Sequence, residues 1–161
     1  MKFTLKREGL YLLAFAVLAL AYLGPSVYRK AEMDREVDRL CGMAGGTKVF
    51  EKVLLPTDQF NQWGDPKVPF NGRTNSSNVP YVVEFESRNL AEVDSIAFKK
   101  LTLVEFRVKA IRSADKKILG EAVSYSRRGG DPQGPWHASS YSGCAESGDK
   151  DLKKSVFVSK G

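Results

Sequence analysis

Histidine and cysteine are scarce in these 161 residues: one histidine, His137, and two cysteines, Cys41 and Cys144. That scarcity bounds the chemistry. A zinc site takes three or four ligands. Here it would have to be assembled from His137, Cys41, Cys144 and Asp131, without CxxC or HxxxH spacing to gather them. A cysteine nucleophile would need Cys144 reduced and its pKa lowered by His137, and no third group is evident to orient the pair. GxSxG is absent. Ser139, Ser140 and Ser142 share one loop with His137, where neighbours rarely face each other with triad geometry. No catalytic, metal-binding or cofactor-binding residue is assigned on this basis.

Internal repeats and low-complexity tracts are missing too, and so is a clustered basic stripe. The formal net charge is +6, but the doublets Lys99-Lys100, Lys116-Lys117, Arg127-Arg128 and Lys153-Lys154 are scattered among Glu92, Asp94, Glu105, Asp115 and Glu121. Nucleic-acid binders concentrate their charge and interleave it with stacking aromatics; this pattern reads instead as a solvated mixed-charge surface without a nucleic-acid partner. Lys2, Lys6, Arg7 and Glu8 precede the apolar run described next, so the remainder keeps +4 of the +6. That excess favours weak attraction to anionic surfaces such as phospholipid headgroups or wall polymers. Glu51, Glu84, Glu86, Glu105 and Glu121 fall on expected strands. They read as solvent faces of an alternating sheet rather than as the facing carboxylates of a glycosidase.

What the sequence does contain begins at its start. Residues 9–27, GLYLLAFAVLALAYLGPSV, carry no charge. As a helix they would be about 28 Å long, close to the hydrocarbon thickness of a bilayer. A short basic stretch precedes them, as in segments whose N-terminus stays in the cytoplasm. Ala19-Leu20-Ala21 fits a small-x-small cleavage pattern, but Tyr22 and Leu23 prolong the run beyond a typical removable core, and Gly24-Pro25 offers a helix break at its outer edge. The expectation is an uncleaved single-pass inner-membrane anchor over residues 1–28 and one extracytoplasmic domain over 29–161, facing the periplasm. Secretion after cleavage near Ala21 is the alternative. Arg29, Lys30, Arg35 and Arg39 follow the segment, so basic-residue counting alone leaves the orientation open; the cysteines favour an external domain. In an oxidising compartment Cys41 and Cys144 have one possible pairing, and closing a loop of about 103 residues stabilises a fold by about 4.7 kcal/mol.

The domain reads as α+β: an antiparallel sheet of four or five strands with one packed helix. Met33, Val37, Leu40 and Cys41 repeat at i, i+4, i+7 and i+8 and predict a helix over 28–41, ended by Gly42, Gly45 and Gly46. A strand is expected over 48–55 and stopped by Pro56. Thr57 to Pro80 has loop composition, with one helical turn over 58–63 docking Phe60 and Trp63. Residues 81–86 read as a strand and 89–98 as an ambiguous segment or short helix. The β-rich runs 101–112 and 118–127 around Ser113–Lys117 predict a hairpin with a five-residue connection. A short last strand over 155–159 is expected at the sheet edge.

One stretch is distinctive. RRGGDPQGPWHASSYS, from Arg127 to Ser142, packs three glycines, two prolines, Trp136 and His137 into one loop. Gly allows positive φ and Pro locks φ, so such a loop follows a fixed path and can serve as a binding surface. Arg127, Arg128, Gly129, Gly130, Asp131, Trp136 and His137 are its candidate contact residues. A plainer role has Trp136 pack over the sheet, His137 bond a carbonyl and Cys144 staple the loop to the helix.

Leu40-Cys41 with Gly45-Gly46, the run Lys48-Val49-Phe50-Glu51-Lys52-Val53, Leu119-Gly120-Glu121, and Tyr125 through Gly129-Gly130-Asp131 to Gly134-Pro135-Trp136-His137 carry a resemblance. In these the chain resembles a family of small exported proteins of proteobacteria and their mobile elements that has no assigned biochemical activity. The loop is the most specific part. The chain departs from the family pattern at Gly42-Met43-Ala44, where an Asp is usual, and at Lys117, where a turn glycine is usual. The resemblance implies export and a shared fold; it carries no mechanism. The functional expectation is a non-enzymatic, envelope-facing accessory module with an envelope protein as partner and no small-molecule cofactor. A cell-wall hydrolase using His137 is the alternative.

Overall fold

A computed structural model describes residues 4–70, 79–94, 98–131, 140–144 and 149–160. Its first element is one uninterrupted helix, α1 (Thr4–Ala44), of 41 residues, about 60 Å at the α-helical rise. The break expected at Gly24-Pro25 does not occur. Pro25 lies inside the helix, where it withdraws the donor to the Ala21 carbonyl and its ring crowds that oxygen; the carbonyl sits near the end of the apolar run. Along the apolar stretch Leu12, Phe15, Leu18 and Leu20 are all exposed on their several helical faces. By length and composition this helix can cross a membrane.

Beyond Val27 the same helix becomes amphipathic. Met33 and Val37 are buried, with Leu40 and Cys41 half-buried beside them, as the sequence periodicity predicts. The helix stops where the Gly45 N–H turns back to the carbonyls of Leu40 and Cys41, at 3.1 and 3.2 Å. Gly46 then takes φ +110°, a conformation that suits glycine. Gly42 lies within the helix rather than ending it.

The main sheet has five strands. β1 (Gly46–Val49), β5 (Ile118–Arg128), β4 (Leu101–Arg112) and β3 (Tyr81–Val93) lie in that order, and β6 (Tyr141–Gly143) shares the outer edge of β5 with β1. All the pairings are antiparallel. The α+β expectation holds, and the β4–β5 hairpin forms with its connection at Ser113–Lys117. In that turn the left-handed residue is Lys116, at φ +58°.

Four elements differ from expectation. The predicted strand 48–55 is two strands, β1 and β2 (Val53–Leu55), in different sheets. Phe50 N and Glu51 N both converge on the Leu119 carbonyl, which ends the ladder and turns the chain off the sheet. Asn89–Val93, read as ambiguous or helical, continues β3 across a bulge between Asn89 and Ala91. A short helix, α2 (Asp149–Val156), precedes β7 (Phe157–Ser159), which pairs in parallel with β2 instead of edging the main sheet. Thr57–Gln59 forms a single 3-10 turn; Phe60 packs against the core, but Trp63 stays exposed.

Each face of the main sheet has its own cover. On one, Val83, Val108, Ala110 and Ala122 pack beneath Leu152, Val156 and Phe157 from α2 and β7. Gly120 makes this possible, since a Cβ there would lie 2.8 Å from Val156 Cγ2 and 3.0 Å from the Lys48 carbonyl. On the other, Leu101, Leu103, Val123 and Tyr125 receive Met33 and Val37 of α1. The helix that leaves the apolar segment therefore covers one face of the domain's sheet.

Candidate functional site

The distinctive loop leaves the sheet at the end of β5 and rejoins it at β6, and its two stems are bound to α1 at three levels. Lys30, Asp34, Val37 and Cys41 are spaced i, i+4, i+7 and i+11, one face of a helix. At the first level Lys30 Nζ lies 2.8 Å from Asp131 Oδ1. At the second Arg127 Nε donates to Asp34 Oδ1 at 2.6 Å. At the third Cys41 and Cys144 form the expected disulfide, with Cα atoms 5.5 Å apart. With the sulfurs bonded to each other, neither is available as a thiolate nucleophile or a metal ligand.

Within the stems the side chains of Arg127 and Asp131 both have structural tasks. The Arg127 side chain is only 3% exposed. Besides Asp34 it reaches the Gly129 carbonyl at 2.6 Å and Ser140 Oγ at 2.7 Å, so one guanidinium ties helix, outgoing stem and returning stem. Asp131 is buried and accepts from Lys30 Nζ and from the Ser140 N–H. Burial by itself would raise its pKa; the bonds from Lys30 and Ser140 outweigh it and hold the carboxyl well below the usual carboxylate range. Lys99 N donates to the Asp131 carbonyl and Gly130 N to the Lys99 carbonyl, so the segment before β4 joins the same knot.

Both glycines are required by their surroundings. Gly129 has φ +80° and Gly130 φ +79°. A Cβ on Gly129 would fall 2.0 Å from the Lys100 carbonyl oxygen, and one on Gly130 would fall 2.6 Å from Leu101 Cδ1. Arg128 points to the opposite sheet face, where its guanidinium lies 4.8 Å from the centroid of the Phe106 ring. Phe106 stacks on the exposed Phe85, with centroids 5.7 Å apart. Tyr141, also exposed, lies across the ladder from Arg128. Trp136 and His137 lie outside the described residues.

The carboxylates expected on solvent faces divide. Glu105 is buried, between Arg88 Nη2 at 3.2 Å and Arg107 Nη2 at 3.1 Å, because it stands beside Tyr125 at the margin of the α1 footprint. Glu86 pairs with Lys109 at 3.1 Å. Glu51 is held by Arg112 and by Lys117 at 2.7 Å; the Lys117 hydrogen bond lowers its pKa against the opposing effect of desolvation. Each of these acids is held in ion pairs. Among the described residues no three His, Cys, Asp or Glu side chains gather as a metal site would require.

Sequence reasoning missed Lys30 and Asp34. The available signal was their helical register with Val37 and Cys41, which places two charges on the buried face. Together these features define a class: a disulfide-bonded α+β domain built directly onto an N-terminal apolar helix of membrane-spanning length. Scans against family models, curated proteins and solved structures each return no match.

Proposed function

We propose that the chain is a single-pass inner-membrane protein whose periplasmic domain is a non-enzymatic interaction module, displaying the loop between Asp131 and Ser140 to an envelope protein. The observation that carries this reading is the investment in the loop's stems. Two ion pairs, two positive-φ glycines and a disulfide hold them to the helix that leaves the apolar segment. A surface loop needs no such anchoring for stability alone, whereas presenting side chains in a constant place to a partner does. The exposed Phe85, stacked on Phe106, supplies an aromatic border of the kind enriched at contact surfaces.

Arg127 and Asp131 are unsuitable for testing this, since their side chains hold the stems. Trp136→Ala removes no side chain of the stem ion pairs or of the disulfide. The variant, extracted in mild detergent, should keep the circular dichroism of the parent and lose partners that the parent retains after crosslinking in cells. An unchanged set of partners overturns the loop as contact surface. Peptidoglycan cleavage by the purified parent, lost in His137→Ala, would replace this reading with a hydrolase.

A further inference from the structure

The end of the sheet that meets α1 first lies at a definable depth. Lys30 follows Val27, the last residue of the apolar run, by three positions, about 4.5 Å along the helix axis. The headgroup layer outside the hydrocarbon is about 5–7 Å deep. Whatever touches Lys30 is therefore at headgroup depth. Asp131 bonds to it, and the Gly130 Cα approaches so closely that a Cβ there would lie 3.6 Å from the Lys30 Cγ and Cδ. Ser26, Arg29, Phe98, Lys99, Leu101 and Gly130 surround one small cavity at this junction. The ion pair and backbone knot of the loop stems thus fix the start of β4 and the end of β5 against the membrane.

On the opposite sheet face, at that same end, a depression of about 580 Å³ is lined by Lys99, Lys100, Thr102, Arg128, Ser140 and Tyr141. Three cations and the hydroxyls of Thr102 and Tyr141 around one concavity make a donor set suited to a phosphate, since charge-assisted bonds from Lys and Arg are the strong ones; the Ser140 hydroxyl is already bonded to Arg127 and Gly129. Acids are nearby but outside the lining: Glu92 pairs with Lys100 at 2.5 Å, and Asp131 faces Lys30. Exposed Tyr28 stands at the same level on α1, where an amphipathic ring suits the membrane interface.

We infer that this end of the domain is seated on the bilayer and that the Lys99–Lys100–Arg128 depression receives the phosphate of an anionic phospholipid headgroup. The inference rests on the membrane-spanning reading of residues 9–27. Seating would hold the domain at one height and tilt, so that the loop reaches a partner at a set distance from the membrane.

The test uses the full chain reconstituted in vesicles of phosphatidylcholine alone or doped with phosphatidylglycerol, read by amide hydrogen exchange. Phosphatidylglycerol should slow exchange in residues 98–102 and 140–143 by about tenfold or more, as attraction of two or three basic residues to an anionic surface implies. α2 should not change. The protection should fade in molar salt, where the Debye length is about 3 Å, and in the Lys99→Gln, Lys100→Gln double variant. Salt dependence is read on the unaltered chain, so the test survives a variant that misfolds. Equal exchange in both vesicles overturns the inference. Equal protection by soluble glycerol phosphate in neutral vesicles also overturns it, because the site would then serve a phosphate from another source. Failure to float with vesicles at alkaline pH would refute the membrane-spanning reading itself, a separate result.

Discussion

Replacing Asp34 with Ala isolates the best-defined contact in the molecule. The Arg127 side chain is 3% exposed, and Asp34 is its only carboxylate partner among the described residues, at 2.6 Å. Removing one member of a buried pair costs about 3–5 kcal/mol, because the other charge stays desolvated. Asp34 keeps 34% of its side-chain surface in water, and the Gly129 carbonyl and Ser140 hydroxyl still accept from Arg127. Both facts reduce the loss, to about 2–3 kcal/mol. Arg127→Met should cost less than Asp34→Ala, since the stranded carboxylate can turn to solvent. The double variant should cost less than the sum of the singles, by about 1–2 kcal/mol. Equilibrium urea denaturation of the full chain in mild detergent, with the disulfide intact, measures all three. A loss below about 0.5 kcal/mol for Asp34→Ala would mean that water already solvates Arg127, and the account of the stems as a buried clamp would be refuted.

The remaining predictions concern the same knot. Reducing the disulfide, or replacing Cys41 and Cys144 by Ser, should lower stability by up to about 4.7 kcal/mol; an alkylating reagent should label neither sulfur in unreduced protein from intact cells, and labelling of both would refute the oxidised state. Gly129→Ala should cost about 2–3 kcal/mol, from the positive φ and the collision with the Lys100 backbone oxygen. Gly130→Ala should cost less, since its nearest obstacle is the movable tip of Leu101; thermal melts that rank the two in reverse order would be inconsistent with this geometry. Asp131 has a folded-state pKa below its ordinary value of about 3.9. Its contribution is therefore present above that value and lost as pH falls below it. The melting-temperature gap between the parent and Asp131→Asn should be constant above pH ~5 and narrow below pH ~4, and a gap that widens on acidification would refute the assignment.

The sequence carried the local features well. The apolar run over 9–27, the stripe of Met33, Val37 and Cys41, and the alternation of the β4–β5 hairpin are each written in consecutive residues, and each appears where periodicity puts it. The pairing of Cys41 with Cys144 needed only that the thiols be two and the compartment oxidising. Less was legible where a segment's fate depends on a distant partner. The strand expected over 48–55 divides because Phe50 and Glu51 N–H groups share one carbonyl on β5, and nothing within the segment announces that. α2 is eight residues long and would be marginal as an isolated helix; it is held by Leu152 and Val156 settling over Gly120.

The loop shows the same division most clearly. Its glycines, prolines and charges were visible as an unusual cluster, and in the described outgoing stem Gly129 and Gly130 take the positive φ that glycine permits. That Arg127 and Asp131 turn inward to Asp34 and Lys30, while Arg128 turns to the other face, was decided by tertiary structure. A strand alternates its side chains whatever their chemistry, and which face is buried depends on where α1 lies. Composition can state that charges will be paired; only the docking of a helix some ninety residues away in the chain decides with what.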